Sequence, residues 1–366
     1  MASVGSVRRR VLPGTGFGAS ARYFAEYTRI HQMLMVARAA TWNLQWQVKG
    51  FVEAMPGVDS RTLLGRFVDG SDVEGIDLRA SLVNTPWDEL DQQTCQLLLI
   101  NTVALYEAWC HEICGAFVRS RVITEEKQRT YQGALQYPDH YGVKPREGIA
   151  SVVKRLESAD GVSAGMTALM SSVLPSPVDQ AVFSPRMRLY RLFKEARNSI
   201  SHRGSMASAE VCSAYSDCGA LGAADLAMRK VPEFPAPVLG KPVHLSWRGV
   251  IGLSDMLRRV VAEVDHLLMY TKTAELDLIE RLRTDPGALQ DPSQADAVVE
   301  YRYAKKIPDG PWIVTRAQLE KGQNVVYSAS VRLLGLTKSP KENFIVLWPK
   351  LLASGVVEIH SSLRDV

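Results

Sequence analysis

The stretch Leu97-Leu-Leu-Ile-Asn-Thr-Val-Ala-Leu-Tyr-Glu-Ala-Trp109 decides the fold class. With Ile113 and Phe117, its apolar residues fall almost all round a helical wheel. A helix that is apolar on most sides is normally a central, buried one. Asn101 and Glu107 interrupt the run, which is too short and too polar to cross a membrane. We therefore expect a soluble, mainly α-helical protein with no membrane partner.

Residues that start and stop helices extend this prediction along the chain. The segment Arg186–Arg203 is predicted to be a helix because it follows Pro185 and stops at Gly204. Four prolines between Val231 and Pro242 exclude regular helix there. Further predicted elements are a helix at residues 21–49, a strand or loop around Val68–Leu82, and a long helix from Trp247 to about Arg283, ended by Asp285-Pro286-Gly287.

Three regions are predicted along the chain. Residues 1–91 have no assigned role, residues 92–284 form the helical domain, and residues 292–366 form a small α/β domain after a linker. In this last region a helix at Asn343–Ala353 is predicted to precede a strand at Gly355–Ile359. That order resembles the recognition helix and first wing strand of a winged-helix domain. Lys338, Lys341 and Lys350 are consistent with nucleic-acid binding, and a purely structural cap is the alternative.

The composition is that of an ordinary globular protein. Of the 366 residues, 46% are hydrophobic and 22% are charged, and the net charge of +4 is compatible with a polyanionic partner without requiring one. Five cysteines are too few, and odd in number, for a disulfide framework. Arg8-Arg9-Arg10 is not followed by an apolar segment, so we expect no secretory signal and a cytoplasmic location.

The most specific motif is Arg197-Asn-Ser-Ile-Ser-His202, in the predicted helix Arg186–Arg203. An Arg four to six residues ahead of a His is expected by chance roughly once or twice in such a chain. Arg259 and His266 form a second match of this kind, and we expect them to be ordinary residues of a helix. Only the first match has Asn directly after the Arg, and this requirement makes a chance occurrence rare.

Helical geometry places the motif on a distinct face. Successive residues turn by about 100°, so one stripe should face the core, and it contains Leu189, Leu192, Phe193, Ala196 and Ile200. Asn198 and His202 lie together on the opposite side, with Arg197 on the flank. Arg191 and Lys194 share the polar side, which predicts a basic face around His202.

The motif resembles that of the HEPN superfamily (higher eukaryotes and prokaryotes nucleotide-binding). Its members are helical domains, many of them ribonucleases, marked by an Arg, four to six residues and a His. Many also have an earlier helix with an apolar residue, Glu and an aromatic residue, which Val103–Trp109 matches through Glu107. The resemblance covers about residues 92–283 and implies a HEPN-like helical bundle.

The resemblance also implies a chemistry. The expected catalytic residues are Arg197, Asn198 and His202, and Glu107 is a candidate supporting residue. RNA-binding candidates are Arg191, Lys194 and Arg203. HEPN ribonucleases need no metal or other cofactor and cut RNA through attack by its own 2′-hydroxyl. They act as homodimers in which two motif helices meet, so that two histidines share one cleft.

The function that this resemblance implies is an endoribonuclease of a bacterial toxin–antitoxin or anti-phage defence system, with an antitoxin or regulatory partner. Gly204 stands where HEPN toxins paired with nucleotidyltransferase antitoxins usually carry a Tyr, which disfavours that partnership. The alternatives are a non-catalytic HEPN scaffold that binds nucleotide, RNA or a partner protein, and a DNA-binding regulator.

Two other motifs are weaker. Cys110, His111 and Cys114 could begin a zinc site completed by Cys212 and Cys218, but no Cys-x2-Cys pair is present and cysteines on an apolar helix are usually core residues. Gly14-Thr-Gly-Phe-Gly18 is similar to a phosphate-binding loop. No strand precedes it and no Lys follows in register, so we expect a flexible leader.

Overall fold

The helices of the chain follow the apolar segments of the sequence. The computed structural model describes residues 15–138, 140–141, 144–145, 147–170, 178–284, 304–306, 311–316, 319–334 and 344–360. The chain is mainly helical, as predicted. The helices are α1 (Gly18–Ala54), α2 (Ser60–Phe67), α3 (Trp87–Arg119), α4 (Glu125–Ala134), α5 (Ile149–Asp160), α6 (Ala164–Met170), α7 (Phe183–His202), α8 (Ala209–Cys218), α9 (Trp247–Leu268), α10 (Lys272–Thr284), α11 (Leu319–Leu333) and α12 (Trp348–Ala353).

The strands of the described residues are short. β1 (His140–Tyr141) and β2 (Lys144–Pro145) form an antiparallel pair. β3 (Ala304–Lys306) pairs antiparallel with β4 (Trp312–Thr315), and β4 pairs in parallel with β5 (Val357–His360). Among the described residues, no helix is long and apolar enough to span a membrane.

The described residues group into two compact units that interleave along the chain. The motif unit contains Ala25–Glu107 and Pro185–Leu257, and the terminal unit contains the described residues of Met1–Phe24, Ala108–Ser184 and Arg258–Val366. This grouping differs from the predicted regions 1–91, 92–284 and 292–366. The physical reason is that three of the boundaries between units fall inside the long helices α1, α3 and α9.

The core of the motif unit contains the predicted central helix. Leu98, Leu99, Val103 and Tyr106 of α3 are all buried, as predicted, although Leu97 is exposed. Buried residues of α7, α8 and α9 belong to the same unit: Leu189, Leu192, Phe193, Val211, Val250, Leu253 and Met256. A second apolar cluster lies around α2 and consists of Val48, Val52, Leu63, Leu78 and Leu82.

One predicted helix differs from what is observed, and the region predicted as a strand or loop is a loop. The long helix after Trp247 is two helices, because α9 ends at Leu268 and α10 begins at Lys272. At the break, the Ala274 N–H donates to the Thr271 hydroxyl, an N-cap that starts a new helix. The region Val68–Leu82 is a loop that leads into a π-helical turn at Arg79–Val83. Asp285-Pro286-Gly287 lies outside the described residues.

In the terminal unit, a buried carboxylate fixes the glycine-containing segment that precedes α1. The N–H groups of Gly16 and Phe17 donate to the two oxygens of Asp265, at 2.6 and 3.2 Å. The Gly18 N–H donates to Asp277, and Arg281 donates to the Gly16 carbonyl. Because these amides already bind carboxylates, residues 15–18 are not an open phosphate-binding loop. They are also not the predicted flexible leader. Gly14 lies outside the described residues.

Asp265→Asn should change how stability depends on pH. Burial raises the pKa of Asp265 from 3.8 to about 6, although the Gly16 and Phe17 amides oppose the rise. Because the folded pKa exceeds the unfolded one, this group's contribution is greatest below pH 4 and is lost as pH rises to about 6. Relative to the variant, the wild type should lose on the order of 3 kcal/mol of unfolding free energy across this range. Urea denaturation at several pH values measures this difference, and parallel curves for the two proteins would contradict it.

Candidate functional site

The motif lies at the C-terminal end of helix α7, which begins and ends close to the predicted residues. Pro185 lies in its first turn, where a missing N–H costs nothing. The helix ends at His202, and Gly204 follows with a φ of +59°, a conformation that glycine adopts without strain. The Ser205 N–H closes the end by donating to the Ser199 carbonyl at 3.2 Å. The end of the motif helix is thus fixed by local backbone structure.

The core stripe of α7 is largely as predicted. Leu189, Leu192, Phe193 and Ala196 are buried, and Ile200 is partly buried. Phe193 also packs edge-on against Phe234 in the loop between α8 and α9, with ring centroids 5.0 Å apart. This packing fixes the rotation of α7, and it therefore fixes which side chains remain outside the core.

Glu107 of α3 joins the two sequence features that carry the resemblance. One carboxylate oxygen accepts from Lys194 at 2.5 Å, and the other accepts from Arg197 at 2.7 Å. All three side chains are mostly buried, with 28% of Glu107, 14% of Lys194 and 19% of Arg197 exposed. The pairing is therefore poorly screened by water and should hold Arg197 in one orientation. The Nε of Arg197 is also buried, and it has no hydrogen-bond partner within the described part of the chain.

Glu195 neutralises a second cation of the same helix. It forms a close ion pair with Arg191, four residues earlier, and accepts a hydrogen bond from the Asn198 amide at 3.3 Å. Only 7% of the Arg191 side chain is exposed. The predicted open basic face is therefore wrong for Arg191, because this side chain is buried against the carboxylate of Glu195. Sequence reasoning also missed Glu195, although its spacing from Arg191 is a recognised helical pairing distance.

The exposed part of the motif is His202 with its neighbours Ser201 and Arg203. The His202 side chain makes no hydrogen bond to any residue that the structure describes. Arg203 pairs with Glu210 at 2.9 Å, and this contact is open to solvent. The pKa of Glu210 is lowered to about 2, first by a hydrogen bond with Ser208 and then by Arg203. Of the residues predicted for the site, His202 and Arg203 are thus the most accessible.

The exposed imidazole of His202 lies at the end of α7. The same helix carries the ion-paired guanidinium of Arg197 and the hydrogen-bonded amide of Asn198. Arg191, Lys194 and Arg197 face two carboxylates, which leaves one net positive charge on the part of α7 that precedes His202. An imidazole can exchange protons near neutral pH, and a guanidinium can bind phosphate oxygens. His202 and Arg197 are therefore residue types suited to proton transfer beside an anionic group.

The remaining candidate residues do not form a comparable site. Cys110 and Cys114 are buried in the core, as expected, and burial raises the pKa of the Cys114 thiol to about 12. Within the described ranges, no group of His, Cys, Asp and Glu could hold a metal ion. His266, of the second Arg and His pair, lies on α9 against the Tyr270 ring, and burial lowers its pKa.

The chain matches no known protein-family model, no curated protein and no solved structure.

Glu107→Gln should destabilise the protein by about 1–2 kcal/mol, between the values for exposed and buried ion pairs. The reason is that Lys194 and Arg197 would keep their partial burial while losing their counter-charge. Glu112→Gln is the matched control, because Glu112 lies on the same helix and pairs with Arg22 at 2.7 Å, largely in solvent. The control should change stability by less than about 0.5 kcal/mol. Urea denaturation compares the variants, and equal effects would show that burial of the Glu107 cluster contributes nothing.

Proposed function

We propose that the protein is a HEPN-like, metal-independent endoribonuclease that uses the C-terminal end of α7. The observation that carries this proposal is the contact between Glu107 and Arg197. Two segments ninety residues apart were each similar to a HEPN motif in the sequence, and they meet in a partly buried ion pair. An ordinary solvated helix end would not require a carboxylate of the central helix to hold its arginine.

The proposed reaction uses the 2′-hydroxyl of RNA as the nucleophile. Its proton must be removed, the charge on the phosphate oxygens must be stabilised, and the departing 5′-oxygen must be protonated. His202 is exposed and can transfer protons, while Arg197 is oriented by Glu107 to bind the phosphate. Asn198 would orient the phosphate or the imidazole. The products would carry a 2′,3′-cyclic phosphate and a 5′-hydroxyl.

The proposal requires a homodimer. A single His202 cannot conveniently act as both base and acid, so a second copy would supply the other imidazole. In this arrangement, Arg197, Asn198 and His202 of both copies form one composite cleft. Glu107 is then a positioning residue rather than a catalytic one, because it acts through Arg197.

The RNA-binding role is proposed for Arg203 and, more weakly, for Lys194. Arg203 is exposed, and its partner Glu210 is also in solvent, so a phosphate can compete for it. Lys194 is already paired with Glu107. Arg191 is left out of the proposed RNA contacts because it is buried against Glu195. A cellular role in a toxin–antitoxin or anti-phage defence system, with an antitoxin or regulatory partner, is part of the same proposal.

A non-catalytic scaffold is the second candidate, and one observation favours it. All three cations that were expected to bind RNA are paired with carboxylates, Arg191 and Lys194 in mostly buried contacts and Arg203 in solvent, which weakens the attraction for a polyanion. The DNA-binding alternative has less support. β5 pairs in parallel with β4, whereas a wing is an antiparallel hairpin, and Lys350 is ion-paired with Glu275. Lys338 and Lys341 lie outside the described residues.

RNA cleavage in the presence of EDTA tests the proposal. The wild type should cut single-stranded RNA, and His202→Ala should reduce the rate by at least about 100-fold, as expected when a general acid or base is lost. Arg197→Ala should cause a comparable loss. The matched control is His111→Ala, which removes an exposed histidine from α3 and should leave the rate unchanged.

Two results would reject the ribonuclease. One is a wild-type protein that leaves every RNA intact in conditions where it is folded. The other is cleavage by His202→Ala and Arg197→Ala at the wild-type rate. RNA binding without cleavage would support the non-catalytic scaffold instead. Loss of that binding in Arg203→Ala would show that Arg203 contacts the RNA.

A further inference from the structure

The middle of helix α1 exposes an unusual amount of apolar surface. Between residues 33 and 46 it carries five of the fifteen large apolar side chains that are exposed among the described residues: Met33, Met35, Val36, Trp42 and Trp46. Val36 is 69% exposed and Trp46 is 59% exposed. Together these side chains leave on the order of 500 Å² of apolar surface in solvent, near the upper end for the largest patch on a monomer.

The pattern of these residues is that of a helix-packing surface. Val36, Ala40 and Asn43 follow one another at intervals of three or four residues, so they form one stripe along the helix, and all are exposed. Met33 lies on one side of this stripe, and Trp42 and Trp46 lie on the other. Ala40, the small residue in the centre, lets a second helix approach closely, while the larger side chains enclose it. This surface, Met33–Trp46, is the α1 face.

The α1 face carries almost no charge. Arg38 is the one charged residue between Gln32 and Gln47. Its Nε pairs with Asp91 at 2.6 Å, and its guanidinium lies over the Trp247 and Trp87 rings at 4.9 and 5.5 Å. Nucleic acid is bound mainly through cations that meet its phosphates, and here the single cation is already engaged. The α1 face therefore fits an apolar protein surface rather than RNA.

The end of the motif helix offers less apolar surface for a dimer than the α1 face. Its exposed residues are Ser201, His202 and Arg203, and the large apolar side chains exposed nearby among the described residues are Met206 and, in the loop that hydrogen-bonds to Ala207, Val238 and Leu239. A stable interface normally buries about 800 Å² on each partner around a dehydrated apolar centre. A dimer that brings two motif helices together would therefore gain stability from a further apolar surface.

We propose that the α1 face binds the α1 face of a second copy of this chain in a two-fold symmetric pair. Such an interface must be complementary to itself, and the α1 face brings no unpaired like charges together because its one charged residue, Arg38, is paired with Asp91. The flanking cleft beside Met35, lined also by Trp42, Trp87 and Trp247, has a volume of about 490 Å³ and can receive a large side chain of the other copy. The choice of a second copy rests on the proposed function, because the composite ribonuclease site is incomplete in one chain.

Sedimentation velocity of the full chain, from about 1 to 100 μM, tests this interface. The wild type should be a dimer, and Val36→Arg or Trp46→Arg should raise the dissociation constant of the dimer at least 100-fold, as loss of an interface hot spot does. Val162→Arg is the matched control, because Val162 is a valine of similar exposure, 71%, between α5 and α6. Trp46→Ala, which adds no charge, replaces any arginine variant whose circular dichroism departs from that of the wild type.

Two outcomes would overturn the interface. The first is a wild type that stays monomeric throughout this concentration range, which would leave the α1 face to a different partner protein. The second is a set of folded α1 variants that dimerise as tightly as the wild type. RNA cleavage measured on the same samples separates the two proposals. If the wild type is a dimer that Val36→Arg dissociates but no RNA is cut, the α1 interface is supported and the ribonuclease proposal is rejected. If the wild type is a monomer that cuts RNA, the ribonuclease proposal is supported and the α1 interface is rejected.

Discussion

Glu107 is the residue on which the arrangement of the motif unit depends. It projects from α3, whose other buried side chains are mostly apolar, and it accepts hydrogen bonds from two cations of α7. A carboxylate in such a position is stable only when it is paired, and the two cations are equally costly to bury without it. The pairing therefore ties the register of α7 against α3 to electrostatics as well as to packing. Through Arg197, it also determines how the residues just before His202 are presented.

The same pairing limits the positive charge that the surface can offer. Arg191 and Lys194 would make α7 a basic helix if they were free, yet Glu195 and Glu107 hold both of them. The accessible groups are the His202 imidazole and the Arg203 guanidinium. The paired residues of α7 add one net positive charge. Such a site suits the recognition of a single phosphate group better than the binding of a long polyanion. In a composite site, two copies would together present twice this charge.

The apolar surface of the motif unit is separated from its chemistry. Along α3, Asp91 faces Arg38 of α1 and Glu107 faces Arg197 of α7. At a rise of about 1.5 Å per residue, these two contacts are roughly 24 Å apart on the same helix. One end of this rigid element thus supports the α1 face, and the other supports the motif.

The sequence by itself determined the helical class, the buried central helix, the limits of the motif helix and the core stripe that contains Leu189 and Ala196. These features depend on apolar periodicity, prolines and one glycine with positive φ, all of which act over a few residues. Only the tertiary structure decided which charges are available. Arg191 and His202 share the polar side of a helical wheel, but one is buried against Glu195 and the other is in solvent. It also decided that α9 and α10 are separate helices and that the Gly16 amide binds Asp265, 249 residues away. A local pattern cannot reveal such contacts, because their free energy comes from partners that are distant in the chain and are brought together only by folding.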